Sequence, residues 1–264
     1  VALRSVLAER NLDLDVCVVD DASDDGTAAE VTAIADPRVR LLRSQSRRGI
    51  GWCHNLVMRE SSAPFVTHVD ADDWIVPGAL PRMVAALEAA PRAAQAYCDF
   101  VPAGAAGEIT APDEWRRYFG RMRRPPIDHR RQLLLYGMVV NHLRTYRREA
   151  LDQIGGFDET LPWGVDYDAA LRLAEEWEFV HVPEPLYVKR ILPTGASESV
   201  RFKDLRFWAL RWRLARRALH RNGGRALGMS AMHVHLLLLA GLLDATGLVS
   251  LVRRLRAPPR IQSA

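Results

Sequence analysis

Cysteine is scarce: Cys17, Cys53 and Cys98 are the 3 cysteines in 264 residues, and no CxxC spacing occurs among them. An odd number without paired spacing argues against a disulfide framework or a cysteine zinc site and suits a reducing compartment. Each is read as a small buried hydrophobe. Long apolar runs are also missing. The stretch Leu236 to Leu243 is uninterrupted but short, and His235 and Asp244 beside it would be costly inside a bilayer, so no membrane span is expected. Neither charge sign dominates, with 36 Lys and Arg against 32 Asp and Glu. Aromatic residues are not interleaved with the basic ones in a recognisable module, which excludes nucleic acid as a partner. No secretory signal is visible, and the helical start at Val1 is read as a chain lacking its natural beginning.

What is present fits one α/β domain with a tail. Apolar residues make up 48% and charged residues 26%, a balance that excludes wholesale disorder. Arginine is unevenly spread, crowding Arg116 to Arg131, Arg201 to Arg225 and Arg253 to Arg260. Such surfaces suit phosphate groups or an anionic membrane.

From the start, short apolar strands alternate with amphipathic helices. The pattern predicts a helix over Val1 to Glu9, a strand over Asp15 to Val19 and a helix over Thr27 to Ala35 opened by Asp24 and Asp25. Strands at Val39 to Leu42, Phe65 to Val69 and Ala96 to Phe100 then alternate with helices at Gly51 to Glu60 and Gly78 to Ala90. This order implies a mainly parallel sheet covered on both faces, with ligands at the carboxyl ends of its strands. Pro102 to Arg131 lacks periodicity and reads as a long excursion. A strand at Asn141 to Tyr146 and helices from Arg148 and near Asp166 follow.

Two acidic clusters fall at strand ends: "VVDDASDDGT" after the first strand and "HVDADDW" after the third. Together they bring Asp20, Asp21, Asp70 and Asp72 towards one crevice. Paired carboxylates at a strand end suit a hard divalent cation, Mg²⁺ or Mn²⁺, that keeps room for phosphate oxygens. The competing reading is that Asp70 to Asp73 only cap the helix near Pro77. Ser23, Asp24 and Asp25 are read as caps, while Asp20 and Asp21 stand where a carboxylate can accept from a base N–H or a ribose hydroxyl.

The segments "SVLAERNLDLDVCVVDDASDDGT", "RRGIGWCHN", "FVTHVDADDWIVPGAL", "YRREALDQIGGFDETLPWGVDYDAALRLAE" and "FVHVPEPLYVKR" occur in order across about positions 5 to 190. In this the chain resembles the family 2 glycosyltransferases, inverting enzymes of the Rossmann-like GT-A fold that use nucleotide sugars. "GIG", "NHLRTYRR" and "VDYDAALRL" are most similar to the bacterial chondroitin, heparosan and hyaluronan synthase branch. The resemblance implies that Asp21 binds the base, Asp70 lies near the ribose or diphosphate, and Asp72 is the main metal ligand with Asp70 beside it. It also implies that Asn55 faces the nucleotide and that Asp166 is the general base. Asp166 as a bare N-cap is the alternative, with Asp168 in reserve. Trp74 and Trp163 are candidates for stacking on sugars or for the core, and His142 and His181 are read as structural.

The chain departs from that pattern in three places. Val165 replaces an expected Glu, Leu192 and Pro193 occupy the region of an expected metal-side His, and a first strand expected ahead of Val1 is missing. The expected organisation is a GT-A domain over 1–200 and a basic, helical tail over 201–264. In the tail, Leu205, Trp208, Trp212, Ala215 and Leu219 form an apolar seam with Arg206, Arg213, Arg216 and Arg217 off it. That helix either packs on the domain or meets acidic headgroups. The expected activity is transfer of a sugar from a nucleoside diphosphate, UDP foremost, to a saccharide or lipid-linked acceptor with Mn²⁺ or Mg²⁺. The expected location is cytoplasmic, at the inner membrane face. A silent nucleotide-sugar-binding or scaffold protein is the rival, and a DxD phosphatase is disfavoured because "HVDADDW" lacks a suitable nucleophile context.

Overall fold

A computed structural model describes residues 1–109, 128–192 and 205–245. The alternation of strand and helix read from the sequence is present: α1 (Ala2–Leu7), β1 (Val16–Asp20), α2 (Thr27–Thr32), β2 (Val39–Arg43), α3 (Ile50–Glu60) and β3 (Phe65–His68). Then follow β4 (Trp74–Ile75), α4 (Ala79–Ala89), β5 (Ala93–Ala103), α5 (His129–Tyr136), β6 (Arg144–Arg147), α6 (Arg148–Gln153), α7 (Val165–Glu176) and β7 (Glu178–Arg190). The tail contributes α8 (Leu205–Arg221), the short strands β8 (Arg225–Ala226) and β9 (Met229–Ser230), and α9 (Ala231–Ala245).

The sheet is mixed. β1 and β2 pair in parallel, as do β5 and β7, whereas β6 runs antiparallel to both β3 and β5 and β4 antiparallel to β7. Parallel neighbours need a helical crossover; β4 and β6 arrive by other connections and so join antiparallel. β5 is buried along almost its whole length, which is why it reads as an apolar run rather than an alternation. Most of the excursion read over Pro102 to Arg131 lies outside the described residues, but its ends belong to β5 and α5.

The strands divide into a two-stranded sheet, β1–β2, and a five-stranded sheet in the order β3-β6-β5-β7-β4. Between them runs a cleft of about 1870 Å³, lined by Val16 to Val19 on one side and Phe65 to Asp70 on the other.

One core joins the sheet-bearing region to the tail, since Leu210, Leu214, Ala218, Val234 and Leu238 belong to the same buried cluster as Tyr97, Leu133 and Leu171. Trp208, Ala215 and Leu219 of the expected seam are buried, and Arg206, Arg213, Arg216 and Arg217 are exposed. Arg211 is the surprise within that helix, being fully buried. Its guanidinium lies 4.2 Å from the Trp208 ring centroid and donates to the carbonyls of Leu133 and Leu134 at the end of α5. Leu134 lies in the last turn of α5, so the buried cation helps to cap that helix, while Nε and Nη1 of Arg211 are buried without a hydrogen-bond partner among the described residues.

Candidate active site

Asp20 closes β1 but turns inward. Its carboxylate is buried, accepts from the Ser23 backbone N–H at 2.8 Å and pairs with Arg43 at 3.0 Å. Ser23 first and Arg43 after it hold this carboxyl below the ordinary range. It therefore organises the turn. Asp21 accepts from the backbone N–H groups of Arg48 (2.8 Å) and Gly49 (2.9 Å), tying the end of β1 to the loop that starts α3. Asp25 bonds the Thr27 N–H and hydroxyl, but the N-cap of α2 is Gly26 with no side-chain cap, so neither Asp24 nor Asp25 caps this helix as expected.

On α3, Asn55 has its amide committed. Its Nδ2 donates to the Phe157 carbonyl and to Glu159, and its Oδ1 accepts from Phe157 N–H, all at 2.8 Å. The side chain thus clips the Gly155–Gly156–Phe157 turn onto α3. Close approach is helped by Gly51, where a Cβ would stand 2.8 Å from the Asp158 carbonyl oxygen.

After β3 the chain turns through Asp70 to Asp73. Asp70 is partly exposed, Asp72 is exposed and Asp73 is buried. Asp73 accepts from the Tyr187 hydroxyl at 2.7 Å and from Arg190 N–H at 2.7 Å, and the Arg190 side chain also bonds the Asp72 carbonyl. Burial, outweighing the Tyr187 hydrogen bond, pushes the Asp73 carboxyl up to about 6. Behind it, the His142 ring stacks flat on Tyr187, with centroids 4.6 Å apart. Burial, reinforced by Arg144 and Lys189, keeps this imidazole neutral.

Asp166 lies in the first turn of α7. Gly164, at φ +73, is the N-cap, a backbone conformation that favours glycine, and a Cβ there would also displace the tip of Leu210. Asp166 is therefore not the cap. One of its oxygens accepts from Tyr167 N–H at 2.8 Å and the other from Arg144 at 3.1 Å. Arg144 is buried and reaches Asp70 with its other terminal nitrogen at 3.5 Å. Burial disfavours the guanidinium charge, but Asp70 and Asp166 more than offset this and its pKa is raised. One buried cation thus joins two acids that lie far apart in the sequence. Asp168, in contrast, is buried against Arg172 at 2.7 Å. His181 bonds Asp99 at 3.0 Å and stacks on Tyr97. Trp163 packs at the margin of the core, and Trp74 lies under the Arg190 guanidinium.

Asp70, Arg144 and Asp166 are thus in contact, with Asp72, Asp73, His142 and Tyr187 around the same turn, while the bonds of Asp20, Asp21 and Asn55 go to their own neighbouring loops. Sequence reasoning missed Arg144, Asp73 and Tyr187. Arg144 opens β6, a polar strand whose sequence Arg-Thr-Tyr-Arg does not distinguish it from Arg147.

The site's chemistry admits a cation. The ligand atoms of Asp70, Asp73 and His142 lie within 4.8 Å of one another, and carboxylate oxygens suit Mg²⁺ or Mn²⁺.

Comparison with known proteins agrees with this architecture. The model of the family described as "Glycosyl transferase family 2" matches residues 1–155. Chondroitin synthase of Escherichia coli is 28% identical over 206 residues, covering 77% of this chain and 28% of that protein. Among solved structures, Staphylococcus aureus TarS 1-349 in complex with UDP-GlcNAc aligns with a TM-score of 0.66 at 17% identity, covering 99% of this chain and 72% of that one. The mannosyltransferase PcManGT from Pyrobaculum calidifontis, in complex with GDP-Man and Mn²⁺, aligns with a TM-score of 0.62 at 21% identity, covering 97% and 71%. These likenesses establish the GT-A type of fold. The chain spans 24%, 64% and 28% of the first curated relatives it matches.

Proposed function

The chain belongs to glycosyl transferase family 2, and from that premise we propose that it transfers a sugar from a nucleoside diphosphate, UDP foremost, to a hydroxyl of a saccharide or lipid-linked acceptor with inversion. The observation that carries this reading is the Arg144 bridge, which joins Asp70 on the donor side to Asp166. Asp166 is the proposed base: about a third of its side chain is exposed (32%), so an acceptor hydroxyl has access to it. It would take the proton of that hydroxyl as the oxygen attacks the anomeric carbon.

Asp21 serves the nucleotide base, with Asp20 and Asn55 supporting the two loops around it. Asp70 and Asp72 would hold the cation, which when bound stabilises the departing diphosphate. The UDP-GlcNAc and GDP-Man complexes of the two fold relatives support a nucleotide-sugar donor. A polysaccharide acceptor accords with the chondroitin and hyaluronan synthases among the relatives.

No helix among the described residues is long and apolar enough to cross a membrane. Met232, Leu236 and Leu239 nonetheless form an exposed apolar row on α9, and Arg213 and Arg216 are exposed on the adjoining α8. This supports peripheral contact with an anionic cytoplasmic membrane face. Binding to phosphatidylglycerol vesicles that weakens with salt would bear this out, and indifference to vesicles at low salt would remove it.

The test of the function is a panel of UDP- and GDP-sugars assayed for Mn²⁺-dependent release of nucleotide, alongside calorimetric binding. Asp166→Asn is expected to lose turnover by about 10²-fold or more while keeping donor affinity. Wild-type turnover in that variant refutes the base assignment. Tight UDP binding without turnover by the wild type would favour a silent binding protein.

A further inference from the structure

The three side chains that converge after β3 are not equally free to take a cation. Asp73 has both oxygens engaged, one by the Tyr187 hydroxyl and the other by Arg190 N–H, each at 2.7 Å. Asp70 is divided: its Oδ1 faces Arg144 at 3.5 Å, and its Oδ2 stands 4.0 Å from Nδ1 of His142. His142 is 6% exposed, clamped between the face of Tyr187 and the edge of Phe100. Among the described residues its ring nitrogens make no hydrogen bond. A largely buried imidazole usually has a partner for its ring nitrogens.

A separation of 4.0 Å is too long for a hydrogen bond. It does suit two donors on one ion: metal–ligand distances of about 2.1 Å put octahedral donors roughly 3 Å apart when adjacent and 4.2 Å apart when opposite. The ring is also prepared for the role. Stacking on Tyr187 fixes its plane, and Asp73, by holding the Tyr187 hydroxyl, fixes the tyrosine.

We propose that His142 is a nitrogen ligand of the donor-side cation, sharing it with Asp70, and that Asp73 and Tyr187 orient the imidazole from behind. This rests on the reading that Asp70 serves the metal of a nucleotide-sugar site. It assigns a role to a histidine that supplies the nitrogen otherwise absent from the region of Leu192. It also sets the metal preference: an imidazole donor favours Mn²⁺ over Mg²⁺, the latter being content with oxygen alone.

The experiment loads the full chain with Mn²⁺, alone and with UDP, and records electron spin-echo envelope modulation. Directly bound imidazole nitrogen is expected to modulate the wild-type signal and to be absent in His142→Asn, whose fold is checked by circular dichroism. Calorimetry is expected to show Mn²⁺ affinity falling about tenfold or more in His142→Asn with Mg²⁺ affinity little changed. Mn²⁺ bound with oxygen coupling only, or nitrogen coupling that survives in folded His142→Asn, overturns the assignment and leaves metal-assisted transfer standing. Failure of the wild type to bind Mn²⁺ even with UDP overturns the assignment and the metal part of the functional reading together. Should His142→Asn misfold, His142→Gln takes its place: loss of the nitrogen modulation in folded His142→Gln supports the ligand, and its survival refutes it.

Discussion

Removal of the Arg144 side chain tests the bridge most directly. In Arg144→Met the shape is nearly kept, but the carboxylates of Asp70 and Asp166 lose the buried cation between them. Breaking a fully buried pair costs about 3–5 kcal/mol. Here the two acids are 38% and 32% exposed, so water recovers part of that, and a loss of roughly 2–3 kcal/mol is expected. Arg144→Lys retains charge without the planar fork and can serve one acid at a time, so about half that loss is expected. Urea unfolding reads these values, and because the cation is buried the wild-type advantage should persist in high salt. The decisive comparison is a double-mutant cycle with Asp166→Asn. If the guanidinium acts on Asp166, the two substitutions should couple by about 1 kcal/mol or more. Strict additivity would refute the bridge.

Three further outcomes follow from local geometry. Gly51→Ala pushes a Cβ to 2.8 Å from the backbone oxygen of Asp158, so α3 or the 155–159 turn must shift, and a loss of about 1–3 kcal/mol is expected in urea unfolding; an unchanged midpoint contradicts the packing. His54 has its pKa lowered to about 3, by burial first and by Arg144 second, so it stays neutral in the fold while the unfolded chain takes up a proton below about 6.5. Its contribution is fully present above the unfolded value and is lost as pH falls towards the folded one, with a slope of up to about 1.4 kcal/mol per pH unit, and His54→Gln should flatten the melting-temperature profile between pH 6.5 and 5. Burial, with Asp21 adding to it, pushes the Cys53 thiol up to about 11. At pH 8 its thiolate fraction is about 100-fold below that of an ordinary thiol near 9, and alkylation of the native protein at Cys53, followed by peptide mapping, should be slower than in urea by that order.

Much of the fold was legible because strand and helix carry different periods. β1, β2, β3 and α3 lie within a residue or two of where apolar spacing put them, and the Gly-Phe-Asp turn before α7 was visible as punctuation. The mixed pairing of the five-stranded sheet was not, since a strand's direction depends on how its connection closes in space. β4, with two residues, is too short to carry a period. The site was half legible. "HVDADDW" announced a functional turn, but nothing in that string distinguishes Asp73, buried against Tyr187, from the exposed Asp72. Asp20 and Asp21 are adjacent and identical in type, yet one faces the turn and Arg43 while the other holds the next loop.

By itself the sequence determined the α/β class, the family and the acids gathered at strand ends, because these rest on residue types repeating at short range. Only the tertiary structure decided which of those acids is free. Arg144 meets Asp166 across 22 positions and Asp70 across 74, and Tyr187 reaches Asp73 across 114. Such pairings are set by how the sheet closes and how much water it excludes, and a linear pattern encodes neither.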